Sequence, residues 1–408
     1  MARASSPDPA ARGSRADGER AAALGLLARL VAHDTTSARS NRALIDEIAG
    51  YLRELGVEPL VVASEDGTKA GLIASVGPDG PGGIVLSGHT DVVPVTGQAW
   101  SSDPFRLVER GGRLYGRGTA DMKGFLAAAL ALVPRFRTAP LARPIHLAFS
   151  WDEEVGCLGA PPLIAALLAR RPRPALVIVG EPTGMRPADR HRGITTYLTT
   201  VTGKGGHSSA PGRGVNAIGL AARFVVELER RARVQAALHE AAGGDGCGEE
   251  ADGGAPEYTT LNVGEIAGGS AVNMIAGSCR VSWECRPGAD GDAALGGLER
   301  FVAEELLADA QRFAPIVTVD TRAVVSVPPL LSEADSPAVA LIRRLTGRNA
   351  CVAAPFASEA GLFQQAGIPA VVCGPGWASE AHQPDEFLEC AQLEVCLDVL
   401  RRLADGVA

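Results

Sequence analysis

No stretch of this sequence stays apolar for the roughly 18 residues that a membrane-spanning helix requires, which argues against a place in the membrane. The opening segment MARASSPDPAARGSRADGERAA mixes both charges and lacks the continuous apolar run of a secretory leader, so a soluble, cytoplasmic protein with a frayed N-terminus is expected. Lysine and arginine nowhere gather into the basic stripe that a phosphate backbone demands, and the formal net charge is -8. Nucleic acid is therefore not an expected partner. No Cys-x-x-Cys pair occurs; Cys157, Cys247, Cys279, Cys285, Cys351, Cys373, Cys390 and Cys396 are scattered, and in a chain this large they read as small buried hydrophobes. A glycine fingerprint between strand and helix, with the spacing nucleotide binding needs, is also missing.

What is present is a chain of 408 residues, 46% of them hydrophobic, long enough that one core gives way to two lobes. Two amphipathic helical stretches after Arg20 lead into short apolar runs (VEPLVVAS, GLIASV, GGIVLSGH, IHLAFSW, PALVIVGEP) alternating with the helical stretches MKGFLAAALALVPRF and APPLIAALLARR. Strands separated by helices of ten or more residues predict an α/β fold: a mostly parallel, doubly wound sheet whose functional groups leave the C-terminal ends of the strands.

After His191 the texture changes. ITTYLTTVTG alternates β-branched with polar residues, as a half-exposed antiparallel strand does. A helix, two strands, a second helix and a closing strand follow, giving an inserted α+β (βαββαβ) sandwich over 193–322. The expected division is thus a disordered 1–20, a metal-binding catalytic domain of 21–192 with 323–408, and the insertion between its halves. HEAAGGDGCGEEADGGAPEY, with almost nothing to bury, reads as a floppy loop.

The chemistry-bearing residues sit at the ends of the apolar runs. LSGHTDVVPV carries His89 and Asp91 two apart, so on a strand both project to one face. GRGTADMKG places Asp121 in a glycine-rich turn ahead of a helix; LAFSWDEE ends in Asp152, Glu153 and Glu154; ALVIVGEP ends in Glu181; His382 lies on a loop after the strand IPAVVCGPG. Taken singly, each has a plain structural explanation, such as a helix cap for Asp121 or a turn residue for Glu181. Taken together, carboxylates crowded at one sheet edge repel one another unless a cation lies among them. Two histidines with several carboxylates suit zinc, cobalt or manganese better than calcium.

In order and interval, HTDVVP, GRGTADMKGF, WDEEVG, GEPT, GGHSSAP and HQPDEF resemble the M20 metallopeptidase family, over nearly the whole chain from about Arg20. Within it, GQAWSSDPF, NVGEIAGGSAVN, VSWECRP, SEAGLFQQAGIPAVVCGPG and AHQPDEF are most similar to the acetylornithine deacetylase branch. The resemblance implies a divalent two-metal site, two Zn2+ with Co2+ as the alternative. His89, Asp121 and Glu181 would serve one metal, with Asp121 bridging; Glu154 and His382 would complete the other. Asp91 would hydrogen-bond the imidazole of His89 and fix its orientation. Glu153 would be the general base.

The same resemblance makes the insertion a lid and dimerisation domain and the protein a homodimer. His207 would reach the site from the partner copy to stabilise an oxyanion. Asn273 and Arg286 would hold a substrate carboxylate, and Glu359 would sit near the ammonium of a cationic product. The implied reaction is hydrolysis of N2-acetyl-L-ornithine to ornithine and acetate, a step of arginine biosynthesis. The alternatives are another small N-acyl amino acid such as succinyl-diaminopimelate, a dipeptide, or a non-catalytic metal-binding homologue acting as an interaction protein. A pure binder has no need of Glu153.

Overall fold

The runs Ile84–His89, Ile145–Ser150 and Leu176–Pro182 are buried at every position, so both faces of the strands they form must be covered. The computed structural model describes residues 9–170, 172–242, 258–288 and 292–406, and within these it supplies that cover. Nine strands form one large sheet in the order Leu60–Ala63, Ala70–Val76, Ile145–Ser150, Ile84–His89, Leu176–Pro182, Ala370–Gly374, Ala188–His191 and Leu330–Leu331, with Val352–Ala354 also paired to Ala188–His191. The four central strands, from Ile145–Ser150 to Ala370–Gly374, run parallel. Their flanks add antiparallel pairs, so the sheet is mixed with a parallel centre.

The helix GFLAAALA, Gly124–Ala131, is buried along its whole length. Phe125, Leu126 and Leu130 share one core cluster with Leu27 and Leu30 of helix Pro9–Val31 and with Leu397 and Leu400 of helix Cys390–Gly406. Each such side chain contributes about 1.5–3 kcal/mol by leaving water. The first of these helices corrects the expected disorder through Arg20. It begins at Pro9, and Glu19 is buried in it between the guanidinium groups of Arg135 and Arg401, partners more than a hundred residues away. Residues 1–8 lie outside the described residues.

The chain divides into two compact units, one running up to His191 and resuming with Leu330–Ala354 and Ser358–Ala408, the other Arg192–Pro329 with Pro355–Ala357. The second contains a four-stranded antiparallel sheet in the order Thr260–Gly268, Ser278–Arg286, Ile194–Thr202 and Thr318–Val327. Alternate residues of Ser278–Arg286 are buried, and Val281, Trp283 and Cys285 form a core with Phe224 and Leu228 of helix Ala217–Ala241. The expected exit at Arg322 falls inside Thr318–Val327, which stays paired with Ile194–Thr202 to its end through a bulge between Ala323 and Val325. A bulge breaks the alternation that a sequence boundary relies on. The helix reaches Ala241, so His239 lies in its last turn; the acidic, Gly-rich stretch 243–257 lies outside the described residues. No described helix is long and apolar enough to cross a membrane.

Candidate metal centre

Three adjacent parallel strands and two loops deliver the titratable groups of the first unit to one edge. His89 is the last residue of Ile84–His89, and Glu181 the last but one of Leu176–Pro182. Glu153 and Glu154 follow Ile145–Ser150, and His382 follows Ala370–Gly374. Strand Ile84–His89 can approach the Asp121 segment closely because residue 88 is glycine; a Cβ there would lie 2.4 Å from Met122 Cε and 2.9 Å from Leu126 Cδ2. The His89 N–H donates to Met122 Sδ at 3.3 Å. Asp121 itself has an extended backbone (φ -122, ψ 91) just ahead of helix Gly124–Ala131.

The side chains meet as follows. His89 Nε2 is 3.0 Å from Asp121 Oδ1 and 3.6 Å from Glu181 Oε1. His382 Nε2 is 3.2 Å from Asp121 Oδ2 and 3.1 Å from Glu154 Oε2. Asp121 thus turns one oxygen to each imidazole, as a bridging carboxylate must. Donor atoms of His89, Glu153 and Glu181 all lie within 4.8 Å of one another, and so do those of His89, Asp121 and Glu154. Tetrahedral zinc with ligand bonds of about 2.1 Å separates its ligand atoms by about 3.4 Å, so separations of 3.0–3.6 Å fit such an ion. Glu181 Oε1 is buried without a hydrogen-bond partner. A buried, orphaned carboxylate oxygen aimed at an imidazole is costly unless a cation completes it.

The electrostatics agree. Burial, with the neighbouring carboxylates, pushes Glu153 up to about 8 and Glu154 to about 7, and raises Glu181 well above its ordinary value. Hydrogen bonds to Asp121 and Glu154 raise His382 to about 10. Burial would lower the pKa of His89, but Glu181 and Asp121 outweigh it and raise it; burial would raise that of Asp121, but the two imidazoles hold it down. A divalent cation bound among these groups would favour their deprotonated forms and release protons.

Asp91 lies against the His89 imidazole and also holds the neighbouring turn. The His89 Nδ1 lies 3.0 Å from the backbone carbonyl of Asp91 and 3.5 Å from its carboxylate. That carboxylate accepts the Ser37 hydroxyl at 2.7 Å and the backbone N–H groups of Glu153 and Glu154 at 3.1 and 3.2 Å. Asp91 therefore fastens the turn that presents the two glutamates. Asp152, in the left-handed region at φ 55, adds an ion pair to Lys69, which also donates to the Ser37 carbonyl. Sequence reasoning read Ser37 only as a candidate start of the second helix, which begins at Arg42, and gave no role to Lys69 or to Glu386, whose carboxylate accepts from the Asp121 N–H. Glu386 was visible only as the last acidic residue of HQPDEF, with no hint of what it meets.

Glu359 is 1% exposed and accepts hydroxyl bonds from Ser87 at 2.6 Å and Ser150 at 2.7 Å. In the second unit, exposed His207 pairs with Met274 across a two-stranded ladder, and the Ser208 N–H donates to the Asn273 carbonyl, so His207 and Asn273 lie side by side. Arg286, bonded through Nε to Glu284 at 3.0 Å, ends strand Ser278–Arg286, whose beginning closely follows Met274–Ile275. Eight strand rises separate the two ends by roughly 26 Å.

The chain matches the profile of Peptidase family M20/M25/M40 over residues 85–406. It is 34% identical over 380 residues to an acetylornithine deacetylase of Yersinia pseudotuberculosis, covering 92% of this chain and 93% of that one. Aminopeptidase PepT from Bacillus cereus is similar in structure with a TM-score of 0.69 at 19% identity, over 95% of this chain and 98% of that chain. Bacillus subtilis YXEP, a dinuclear metal binding peptidase from the M20 family, gives 0.62 at 15% identity, over 96% of this chain and 99% of that chain. Identities this low speak to the fold alone.

Proposed function

The chain belongs to peptidase family M20/M25/M40, and from that premise we propose that it removes the acetyl group of N2-acetyl-L-ornithine, giving ornithine and acetate. It is a metal-dependent amidohydrolase with a deacylase or peptidase role and a divalent metal requirement. The observation that carries the ornithine assignment is identity of 34% to an acetylornithine deacetylase over nine-tenths of both chains. On this proposal the reaction serves arginine biosynthesis in the cytoplasm.

His89, Asp121 and Glu181 would hold one metal and Asp121, Glu154 and His382 the other, zinc being the ion that the mixed imidazole and carboxylate set suits best, with cobalt a substitute. Such ions acidify water and polarise an amide carbonyl. Glu153 takes the proton of the attacking water and returns it to the leaving amine nitrogen. Its place within 4.8 Å of donor atoms on His89 and Glu181 supports that role. Asp91 keeps Glu153 aimed by holding its backbone N–H.

Arg286 forks onto the substrate carboxylate and Asn273 shares it, whereas His207 donates to the tetrahedral oxyanion. Because His207 and Asn273 sit at the far end of the strand that Arg286 ends, one small substrate cannot touch both ends within one copy. This supports a homodimer in which the partner supplies His207 and Asn273. Pairing at an edge of the four-stranded sheet would join two sheets into one; exposed Ile266 and Val324 lie on the two edge strands.

The test is hydrolysis of acetylornithine, succinyl-diaminopimelate and neutral N-acetyl amino acids by metal-loaded protein. Acetylornithine is expected to have the highest kcat/KM, and comparable rates on all would remove the ornithine assignment. Glu153→Gln is expected to lower kcat by about 10²–10⁴ with metal content unchanged; full activity would rule out the proposed base.

A further inference from the structure

Asp121 and His382, which define the shared edge of the two metal positions, lie on loops and not on strands. His382 has φ 62 and a side chain 51% exposed, so neither backbone preference nor core packing holds it in place. A third loop, Gln98–Ser101, connects to both. The Gln98 Nε2 donates to the His382 carbonyl at 2.8 Å, while its Oε1 accepts from Arg117 Nη2 at 2.5 Å and Trp100 Nε1 at 3.1 Å. Two donors on one side and a carbonyl on the other fix which way this amide points.

Arg117 continues the chain of bonds: its Nη1 donates to Glu386 Oε2 at 2.7 Å, and its guanidinium carbon stands 5.0 Å from the centre of the Trp100 ring. Glu386 in turn accepts the backbone N–H groups of Gly118 at 3.0 Å, Ala120 at 2.9 Å and Asp121 at 3.1 Å. Asp385, beside it, accepts from the Ser101 N–H at 2.8 Å and the Ser101 hydroxyl at 3.0 Å. Arg117 and Glu386 are each 1% exposed. A buried ion pair gains little net stability over an apolar pair of the same size, because desolvation offsets its attraction. Its value here lies in where it holds the backbone.

We infer that Gln98, Arg117 and Glu386 form a brace that sets the spacing of Asp121 and His382, and that Gln98 is a positioning residue for the metal position His382 serves. Among the described residues, His89 and Glu181, carried on strands, share no hydrogen bond or ion pair with the brace, so the two metal positions differ in their dependence on it. Gln98 acts on the His382 loop, whereas Glu386 acts on the bridging aspartate and hence on both positions. The inference rests on the ligand assignment proposed above.

The experiment is stepwise Zn2+ binding to chelator-stripped full-length protein by competition with a chromophoric chelator, together with the visible spectrum of the Co2+-loaded protein. Gln98→Met keeps the side-chain length and removes the amide. It is expected to weaken one binding step about 10–100-fold, as loss of a group that orients a ligand does, to leave the other within twofold, and to alter the Co2+ spectrum of the weakened position only. Gln98→Glu, which keeps the acceptor for Arg117 but cannot donate to the His382 carbonyl, should behave like Gln98→Met. The melting temperature of metal-free Gln98→Glu, in which the acceptor for Arg117 remains, should match wild type. Two unchanged steps in Gln98→Met would overturn the brace, as would equal weakening of both steps with a lower melting temperature in Gln98→Glu. The ligand assignment fails separately: wild type binding a single equivalent, or His382→Ala keeping both steps, would remove it whatever Gln98 does.

Discussion

At the residue scale, burial and partners decide what each acidic group does. Glu153 and Glu359 are both raised in pKa by burial, yet one lies among the proposed metal ligands and the other is enclosed by two serines. With both oxygens engaged, Glu359 would favour a cationic product through space. Glu359→Gln is therefore expected to reduce kcat/KM for acetylornithine about five- to tenfold relative to a neutral N-acetyl amino acid, the effect of about 1 kcal/mol. Equal losses on both substrates in a competition assay would show that Glu359 only supports the fold. The presence of His89, Asp121, Glu153, Glu154, Glu181 and His382 was legible because each follows an apolar run or a glycine-rich turn. The partners of Asp91 were not legible, since the N–H groups it accepts lie 62 and 63 positions further on.

Among the elements, strand Leu176–Pro182, which carries Glu181, and strand Ala370–Gly374 approach closely at their C-terminal ends. Gly374 makes this possible: a Cβ there would lie 1.8 Å from the Gly180 carbonyl oxygen and 2.6 Å from that of Glu181. Backbone cannot swing aside as a side chain can, so Gly374→Ala is expected to destabilise by more than about 2 kcal/mol, measured by urea unfolding of metal-free protein. Helix Pro9–Val31 depends on a different device. Burial would raise the pKa of Glu19, but the guanidinium groups of Arg401 and Arg135 outweigh it and hold it below the usual 4.5. A depressed carboxylate contributes stability above its unfolded pKa and loses it as pH falls through the folded value. Glu19→Gln should thus cost about 1.5–3 kcal/mol at pH 7 and progressively less below pH 4.5, and a constant difference across that range would contradict the ion-pair role. Helical spacing predicted a helix after Arg20, but the first turns of Pro9–Val31 were missed because they carry little apolar pattern. What anchors them is a charged residue whose partners lie 116 and 382 positions away.

For the whole molecule, the expected outcomes concern metal and copy number. Removing divalent metal with a chelator should abolish hydrolysis and lower the melting temperature, because an ion present at a thousand times its Kd stabilises the fold by about 4 kcal/mol; differential scanning fluorimetry with and without added Zn2+ measures it. Sedimentation should give twice the mass of a single chain, and a monomer with full activity would contradict the proposed contribution of His207 from a partner.

The sequence by itself determined which chemistry gathers and on what kind of sheet. Strand and helix periods are local properties of the chain, and a polar residue closing an apolar strand has few places to go but the strand's end. Only the tertiary structure decided the separations of 3.0–3.6 Å within the cluster of proposed ligands, the attachment of Asp91 to the Glu153–Glu154 turn, and the circuit from Gln98 through Arg117 to Glu386. Hydrogen bonds between loops nearly three hundred residues apart, such as that from Gln98 to His382, depend on where the whole fold brings their backbones, and no local pattern encodes that.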